Sequence, residues 1–224
     1  MATAARANPK FALLAGLGDP ATAEVLGRGR DLHVAKKVRL CTEGSKAGQL
    51  FLLRSGRIKY GRSTATGRQT IIRLFTAGES FGFAALLPEP LHYLGTAEAM
   101  CPSEVSVWSH AQISQLSDRY PMIRTNALQI ALRVLGTLSD RHSMLFEGDA
   151  THRIAKALID VARRSGEVGE QGIDVRITTE DLGSLADASR FTVSRVLSQW
   201  NKNGAVTKQR ERVCIHSPEA LISN

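Results

Sequence analysis

No stretch of this 224-residue chain approaches the ~20 consecutive apolar residues that span a bilayer. The first thirty residues also lack the charged, apolar and small-residue order of a secretory signal. Its three cysteines, Cys41, Cys101 and Cys214, are scattered and form no C-x-x-C pair, so they suggest neither a disulfide framework nor a metal-ligand spacing. A reducing cytoplasm is the expected compartment, with no membrane partner. Equally missing are the G-x-S-x-G elbow, the glycine-rich P-loop and the H-E-x-x-H helix. Their absence removes the usual sequence marks of hydrolases, nucleotide triphosphatases and zinc peptidases, and catalysis is not expected. There is no internal repeat and no long low-complexity segment.

What is present is a basic chain of ordinary composition, 43% hydrophobic and 22% charged, with a formal net charge of +8. It is long enough for two small domains. The excess charge suits a polyanionic partner, but it is not concentrated at the C-terminus. Residues 1–150 hold 18 Lys and Arg against 12 Asp and Glu, and residues 151–224 hold 11 against 9. Contact with phosphates therefore has to come from local placement.

The most informative stretch is residues 178–204, TTEDLGSLADASRFTVSRVLSQWNKNG. Thr178 is suited to cap a first helix, with Glu180 and Asp181 in its positive first turn. Leu182, Leu185 and Ala186 give that helix an apolar face. Asp187 falls at a turn position needing left-handed backbone, which Asp tolerates better than most residues. Ser189 is an N-cap for a second helix whose apolar side is Val193, Val196, Leu197 and Trp200, ended by Asn203-Gly204. The opposite face carries Arg190, Thr192, Ser194, Arg195 and Gln199, side chains able to meet base edges or phosphates. That face alone would also suit an ordinary surface helix. The next residues, Ala205-Val206-Thr207, the basic run 208–212 and Val213-Cys214-Ile215, read as two strands around a basic turn. A winged helix-turn-helix is the expected unit.

Residues 32–113 have short strand-like runs punctuated by glycine: HVAKKVRLCTEG, GQLFLLRSGRIKYGRSTATG, RQTIIRLFTAGESFGFAALL and SEVSVWSHAQI. Such spacing predicts a compact β-barrel or roll. Residues 122–146 contain no proline and one glycine. Leu128, Leu135 and His142 with Ala131, Leu138 and Leu145 fit a heptad seam. Ile123, Ala127, Ile130 and Val134 form a second stripe, which would dock on the β-domain while the seam pairs with a second copy. The alternative is a helix buried in its own domain. Residues 148–149 break this helix, and residues 152–166 form the next. Residues 166–172 read as a surface turn, and 174–177 as a strand entering the helix-turn-helix.

In this order, the parts resemble the CRP/FNR superfamily of bacterial transcription regulators, over about residues 11–218. The phrases that carry the resemblance are residues 178–197 with their SRFTVSR core, Gly78-Glu79-Ser80-Phe81-Gly82, and Leu50-Phe51-Leu52-Leu53-x-x-Gly56. It implies an α+β fold: a jelly-roll-like β-barrel sensor over residues 1–120, a dimerisation helix over 121–148 and a winged helix-turn-helix over 149–224. It implies a homodimer binding double-stranded DNA, with RNA polymerase as a further partner. The DNA contacts implied are Thr179, Ser189, Arg190, Phe191, Thr192, Ser194, Arg195, Gln199, Lys208 and Arg210.

Two departures from the family matter. Where relatives often carry a Glu that accepts from cytosine, this chain has Phe191, which can touch a thymine methyl or pack in its own core. In cyclic-AMP-binding relatives a Glu follows the second glycine of the sensor phrase, and an Arg-Ser pair holds the phosphate. Here Phe83 follows Gly82, and Leu91-His92-Tyr93-Leu94 occupies the later region. Cyclic AMP is therefore not expected in the usual mode, and Phe81, Gly82, Phe83, His92 and Tyr93 are the candidate effector-pocket residues. The N-terminal cysteine cluster of iron–sulfur relatives is absent.

Three sensor readings stay open. One is a haem held by His92, His33 or Cys41. Another is a small anion drawn by Arg54, Arg57, Lys59, Arg62, Arg68 and Arg73. The third is no ligand at all, with activity set by abundance or by the redox state of Cys101 or Cys214. From another class, a cyclic-nucleotide-type regulatory subunit predicts neither wing nor cationic helix face.

Overall fold

The computed structural model describes residues 11–63, 69–147 and 149–222. The chain forms two compact units, Met1–Arg62 with Leu74–Gly136, and Ser63–Arg73 with Thr137–Asn224. The boundary thus falls inside the long helix and inside one strand.

The first unit rests on two antiparallel sheets. One orders β1 (Arg30–Val34), β8 (Ser103–Ser109), β3 (Gln49–Ser55) and β6 (Ser80–Phe81). The other orders β2 (Arg39–Cys41), β7 (Thr96–Ala99), β4 (Arg57–Ser63) and β5 (Gln69–Thr76). Between them lies a core in which Val34, Phe51, Leu53, Phe81, Val105 and Val107 meet Cys41, Ile58, Phe75, Ala97 and Ala99. This is a two-sheet roll rather than a closed barrel.

The outer face of the β1-β8-β3-β6 sheet is covered as well. Leu50, Leu52 and Trp108 pack with Val25 of α1 (Asp19–Arg28), Ile113 and Leu116 of α2 (His110–Arg119) and Ile123, Ala127 and Ile130 of α3 (Met122–Glu147). Because both faces of β3 are buried, its sequence Leu50-Phe51-Leu52-Leu53 is continuously apolar rather than alternating. Two polar groups are satisfied inside this layer. The Trp108 indole donates to the Val25 carbonyl at 2.8 Å, and the Asn126 amide donates to the carbonyls of Leu13 and Ala15 at 2.9 and 2.8 Å.

Two glycines are fixed by geometry. Gly56, at φ +92°, turns β3 into β4, where an added Cβ would lie 2.8 Å from the Ser103 Cα. Gly82, at φ +85°, brings its Cα so near the Gln49 carbonyl that a Cβ would lie 2.6 Å from that oxygen. Both are costly for any other residue.

The sequence reading extended the last strand run through residue 113, but β8 stops at Ser109. Ser109 Oγ accepts from the Gln112 amide, and Gln112 Oε1 accepts from the Ser109 amide. This reciprocal capping box starts α2 at the point where the strand pattern ran on. Strand β7 was not anticipated, because Thr96-Ala97-Glu98-Ala99 carries only a weak strand signal.

In the second unit, Asp149 Oδ1 accepts from the His152 amide and starts α4 (Ala150–Ser165). Its buried positions Ile154, Ala155, Leu158, Val161 and Ala162 form one helical stripe. Then come β9 (Glu167–Gly169), β10 (Gly172–Val175), α5 (Thr179–Leu185), α6 (Arg190–Lys202), β11 (Val206–Gln209) and β12 (Arg212–Ile215). The strands form one antiparallel sheet in the order β11-β12-β10-β9. Residues 166–172, read from sequence as a turn, thus contain an edge strand paired to β10. The segment Gln69–Arg73 also belongs to this unit. The Ile71 amide donates to Ser184 Oγ at 2.6 Å, and Arg141 donates to the Ile72 carbonyl at 2.9 Å. No described helix is long and apolar enough to cross a membrane.

Candidate nucleic-acid interface

The helix pair α5–α6 is assembled by side-chain caps and one tight crossing. Thr178 Oγ1 accepts from the Asp181 amide at 3.0 Å, opening α5. Asp187 sits in the turn with φ +48°, a left-handed conformation open to Asp at modest cost. Ser189 Oγ accepts from the Thr192 amide at 3.1 Å, opening α6. At the crossing, a Cβ on Gly183 would come within 2.7 Å of the Ala188 carbonyl, which explains the glycine. Arg153 of α4 donates to the carbonyls of Ala186 and Asp187 at 3.1 and 3.4 Å, bracing the turn from behind. Val193, Val196, Leu197 and Trp200 face inward.

The outward face of α6 carries Arg190, Phe191, Arg195 and Gln199, all exposed. Phe191 is 72% exposed, so it does not pack in the core. The Arg190 guanidinium carbon lies over its ring, 4.9 Å from the centroid. Ser189 and Thr192 spend their hydroxyls on each other at 2.9 Å as part of the cap. Thr179, in the first turn of α5, is half-buried.

The wing is joined to this face through Lys208. Its ammonium donates to Ser194 Oγ at 2.9 Å, while its backbone amide donates to Asn201 Oδ1 at 2.9 Å. Gln209 pairs with Arg212, so only Arg210 and Glu211 form the hairpin tip, with Glu211 at φ +56°. The basic turn read from sequence is therefore shorter than expected. Arg212 lies in β12 and bonds Asp174 of β10 through two donors, the Nε at 2.8 Å. Those bonds hold the Asp174 carboxyl below the usual carboxylate range and commit the Arg212 charge to the sheet. Arg210 remains exposed at the tip.

Arg153, Asn201, Asp174 and Arg212 are thus structural partners of the interface that sequence reasoning did not single out in these roles. Asn201 had a faint signal, as a polar residue one turn before a strand entry. The pairings of Arg153 and Asp174 are long-range and carry none.

The heptad positions on α3 divide clearly. Leu128 and Leu135 are 61% and 62% exposed, Ala131 and His142 are exposed, and Leu138 is half-buried. Leu145 lies outside the described side chains. Ile123, Ala127 and Ile130 are buried on the other side, with Val134 packed against them.

The candidate effector residues do not converge on one surface. Phe81 stacks between Phe51 and Phe75, at 4.9 Å from each, in the inter-sheet core. Phe83 is half-buried and packs against the other core, beneath the helices. Tyr93 is buried. Its hydroxyl donates to the Gln49 carbonyl at 2.8 Å and accepts from the Gln49 amide at 3.0 Å. His92 is exposed in an isolated bridge to Lys46.

The other suggested sensor groups are also dispersed. His33 pairs with Glu104 at 3.5 Å. Burial pushes the Cys41 thiol up to about 11. Cys101 and Cys214 are half-buried free thiols. Among the described residues there is no group of three or more His, Cys, Asp and Glu suited to a metal ion. Of the cations suggested for an anion, Lys59 pairs with Glu98 at 3.2 Å, Arg62 with Glu43 at 2.7 Å, and Arg54 covers Phe11. Arg68 lies outside the described residues.

Comparison with known proteins agrees with this layout. The cyclic nucleotide-binding domain family matches residues 31–120, and the Crp-like helix-turn-helix domain family matches residues 152–223. The chain belongs to the CRP/FNR superfamily. Within it, the chain is similar to the CRP-like cAMP-activated global transcriptional regulator of Mycobacterium tuberculosis, at 29% identity over 80% of each chain. The fumarate and nitrate reduction regulatory protein of Escherichia coli is 25% identical over 86% of this chain and 77% of its own. Among solved structures, the c-di-GMP-responsive global regulator of Xanthomonas campestris shares the fold, with a TM-score of 0.76 at 21% identity over 89% of this chain and all of its own. CRP/FNR relatives of this kind are DNA-binding transcription regulators.

Proposed function

We propose that this CRP/FNR protein regulates transcription as a homodimer that binds double-stranded DNA sequence-specifically through α6 and the wing. The observation that carries the reading is the single outward surface formed by Arg190, Arg195, Gln199 and the Ser194–Lys208 contact. Arg190 and Arg195 supply bidentate donors, Gln199 an amide, and Lys208 a cation at the join of helix and wing. Arg210 at the wing tip is a phosphate contact, and Thr179 at the start of α5 borders the same backbone. Ser189 and Thr192 act indirectly, by fixing the first turn of α6.

The exposed Leu128 and Leu135 stripe supports pairing of α3 with a second copy, with Ala131, Leu138, His142 and Leu145 along the same seam. Such pairing would hold two reading helices about one DNA turn (~34 Å) apart. In this scheme residues 1–120 act as sensor, 121–148 as dimer helix and 149–224 as DNA-binding domain, in the cytoplasm and with RNA polymerase as a further partner. The sensor does not take cyclic AMP in the usual mode. This rests on the chemistry of the site, since the Phe83 ring, half-buried against a core, has no acceptor for a ribose hydroxyl, and Tyr93 already spends its hydroxyl on Gln49.

The test is selection of duplexes from a randomised pool with the full-length protein, followed by gel-shift titration. Arg195→Ala should weaken binding to the selected duplex by about 1–3 kcal/mol if Arg195 reads a base. Unchanged affinity would remove Arg195 from the interface, and failure to enrich any sequence would remove the proposed function.

A further inference from the structure

We propose that Phe191 and Arg190 act as one reading unit, recognising the 5-methyl group of a thymine beside a guanine in each half-site. The inference rests on α6 being the DNA-facing helix and deepens that reading by naming what the operator must contain.

Phe191 is out of place as a structural residue. The inward side of α6 is complete without it, being filled by Val193, Val196, Leu197 and Trp200. Its ring stands 72% exposed on a face otherwise made of Arg190, Arg195 and Gln199. The ring has no donor and no acceptor, so it cannot read the polar edges of a base pair. The one apolar group that the major groove presents is the thymine C5-methyl. Cytosine offers only hydrogen at that carbon, so a ring seated there separates the two pyrimidines.

Arg190 supplies the second half of the contact. Its guanidinium carbon lies 4.9 Å from the centre of the Phe191 ring, held by attraction to the ring face. A guanidinium in this position keeps its N–H donors at the periphery, where two can meet guanine N7 and O6 together. Adjacent residues have Cα atoms about 3.8 Å apart, close to the ~3.4 Å spacing of successive bases on a strand. The thymine methyl and the guanine read by the pair therefore fall in neighbouring base pairs, since no single base pair holds both. Phe191 acts twice, as an apolar contact and as the platform that limits where Arg190 can reach.

The experiment uses the full-length protein and the duplex that it enriches from a randomised pool. Each thymine is replaced in turn by deoxyuridine, which removes only the methyl. One thymine per half-site, within one base pair of a guanine, should lose about fourfold in affinity, the value for one buried carbon. Phe191→Ala should bind the unmodified duplex correspondingly less well and be indifferent to the same replacement. The ring is exposed, so this variant keeps its fold. Specific binding without a methyl dependence that Phe191→Ala abolishes overturns the proposal while leaving DNA binding intact. A sensitive thymine with no adjacent guanine overturns the pairing with Arg190. If no sequence is enriched, the DNA-binding reading fails, and this inference with it.

Discussion

Substituting Leu135 by Asp tests the pairing of α3 most sharply. Leu135 is 62% exposed in the single chain, so the change removes little from the chain's own core. Full burial of a leucine side chain contributes about 1.5–3 kcal/mol. Covering the exposed part of Leu135 in a dimer would then contribute about 1–2 kcal/mol per copy, and about twice that for the pair. Leu135→Asp forfeits this and also brings two carboxylates towards the seam, where each loses hydration. The dimer dissociation constant should rise at least about thirtyfold, the equivalent of ~2 kcal/mol. Sedimentation velocity over a concentration series measures that shift. Circular dichroism should show helix content retained, because Ile123, Ala127 and Ile130 still hold α3 to its own core. A variant with an unchanged dimer constant would refute the seam and place any self-association elsewhere.

Two further predictions concern titrating groups. Cys41 is buried with its thiol pushed up to about 11, so at about pH 8 it is almost entirely protonated and a poor nucleophile. Iodoacetamide should leave Cys41 unmodified in the native protein and label it only after denaturation, as peptide mass spectrometry would show; rapid native labelling contradicts the packed roll. Asp174 is held below the usual carboxylate range chiefly by its bonds to Arg212. A carboxyl depressed on folding stabilises the fold above its unfolded value of about 3.9 and loses that contribution as pH falls through the folded value. The stability difference between wild type and Asp174→Asn, measured by urea denaturation, should therefore narrow as pH is lowered below about 4. A difference that stays flat or widens means the Asp174–Arg212 bonds do not operate in solution.

The local chemistry of the helix pair was legible because each feature is encoded within a few residues. The spacing of Val193, Val196, Leu197 and Trp200, the caps Thr178 and Ser189, and the left-handed Asp187 all stand in the structure as read. The buried stripe of α3, Ile123, Ala127, Ile130 and Val134, was legible for the same reason. Strand β9 was not, because Glu167-Val168-Gly169 is an exposed edge with no buried side to impose alternation. The start of α2 was hidden because the strand-like text continues past Ser109, and only the Gln112 return bond reveals the cap. The wing charge was overread, since nothing near Arg212 in sequence signals that Asp174 takes it up. The surface role of Phe191 needed the fold, as a phenylalanine in isolation suits a core equally well.

The hydrogen bond from the Ile71 amide to Ser184, 113 residues away, bears on how proteins of this plan can be cut and recombined. The C-terminal unit looks like a detachable module because its helices and wing are contiguous in sequence. A fragment beginning at Thr137 would nevertheless lack Gln69–Arg73, and with it the Ile71 amide beside Ser184 and the Ile72 carbonyl beside Arg141. A chimaera made by swapping partners at the long helix would place a foreign strand against α5, two residues before the Ala186–Asp187 turn that sets the angle of α6. Fusions that retain the native residues 69–73 alongside the C-terminal unit would avoid that mismatch.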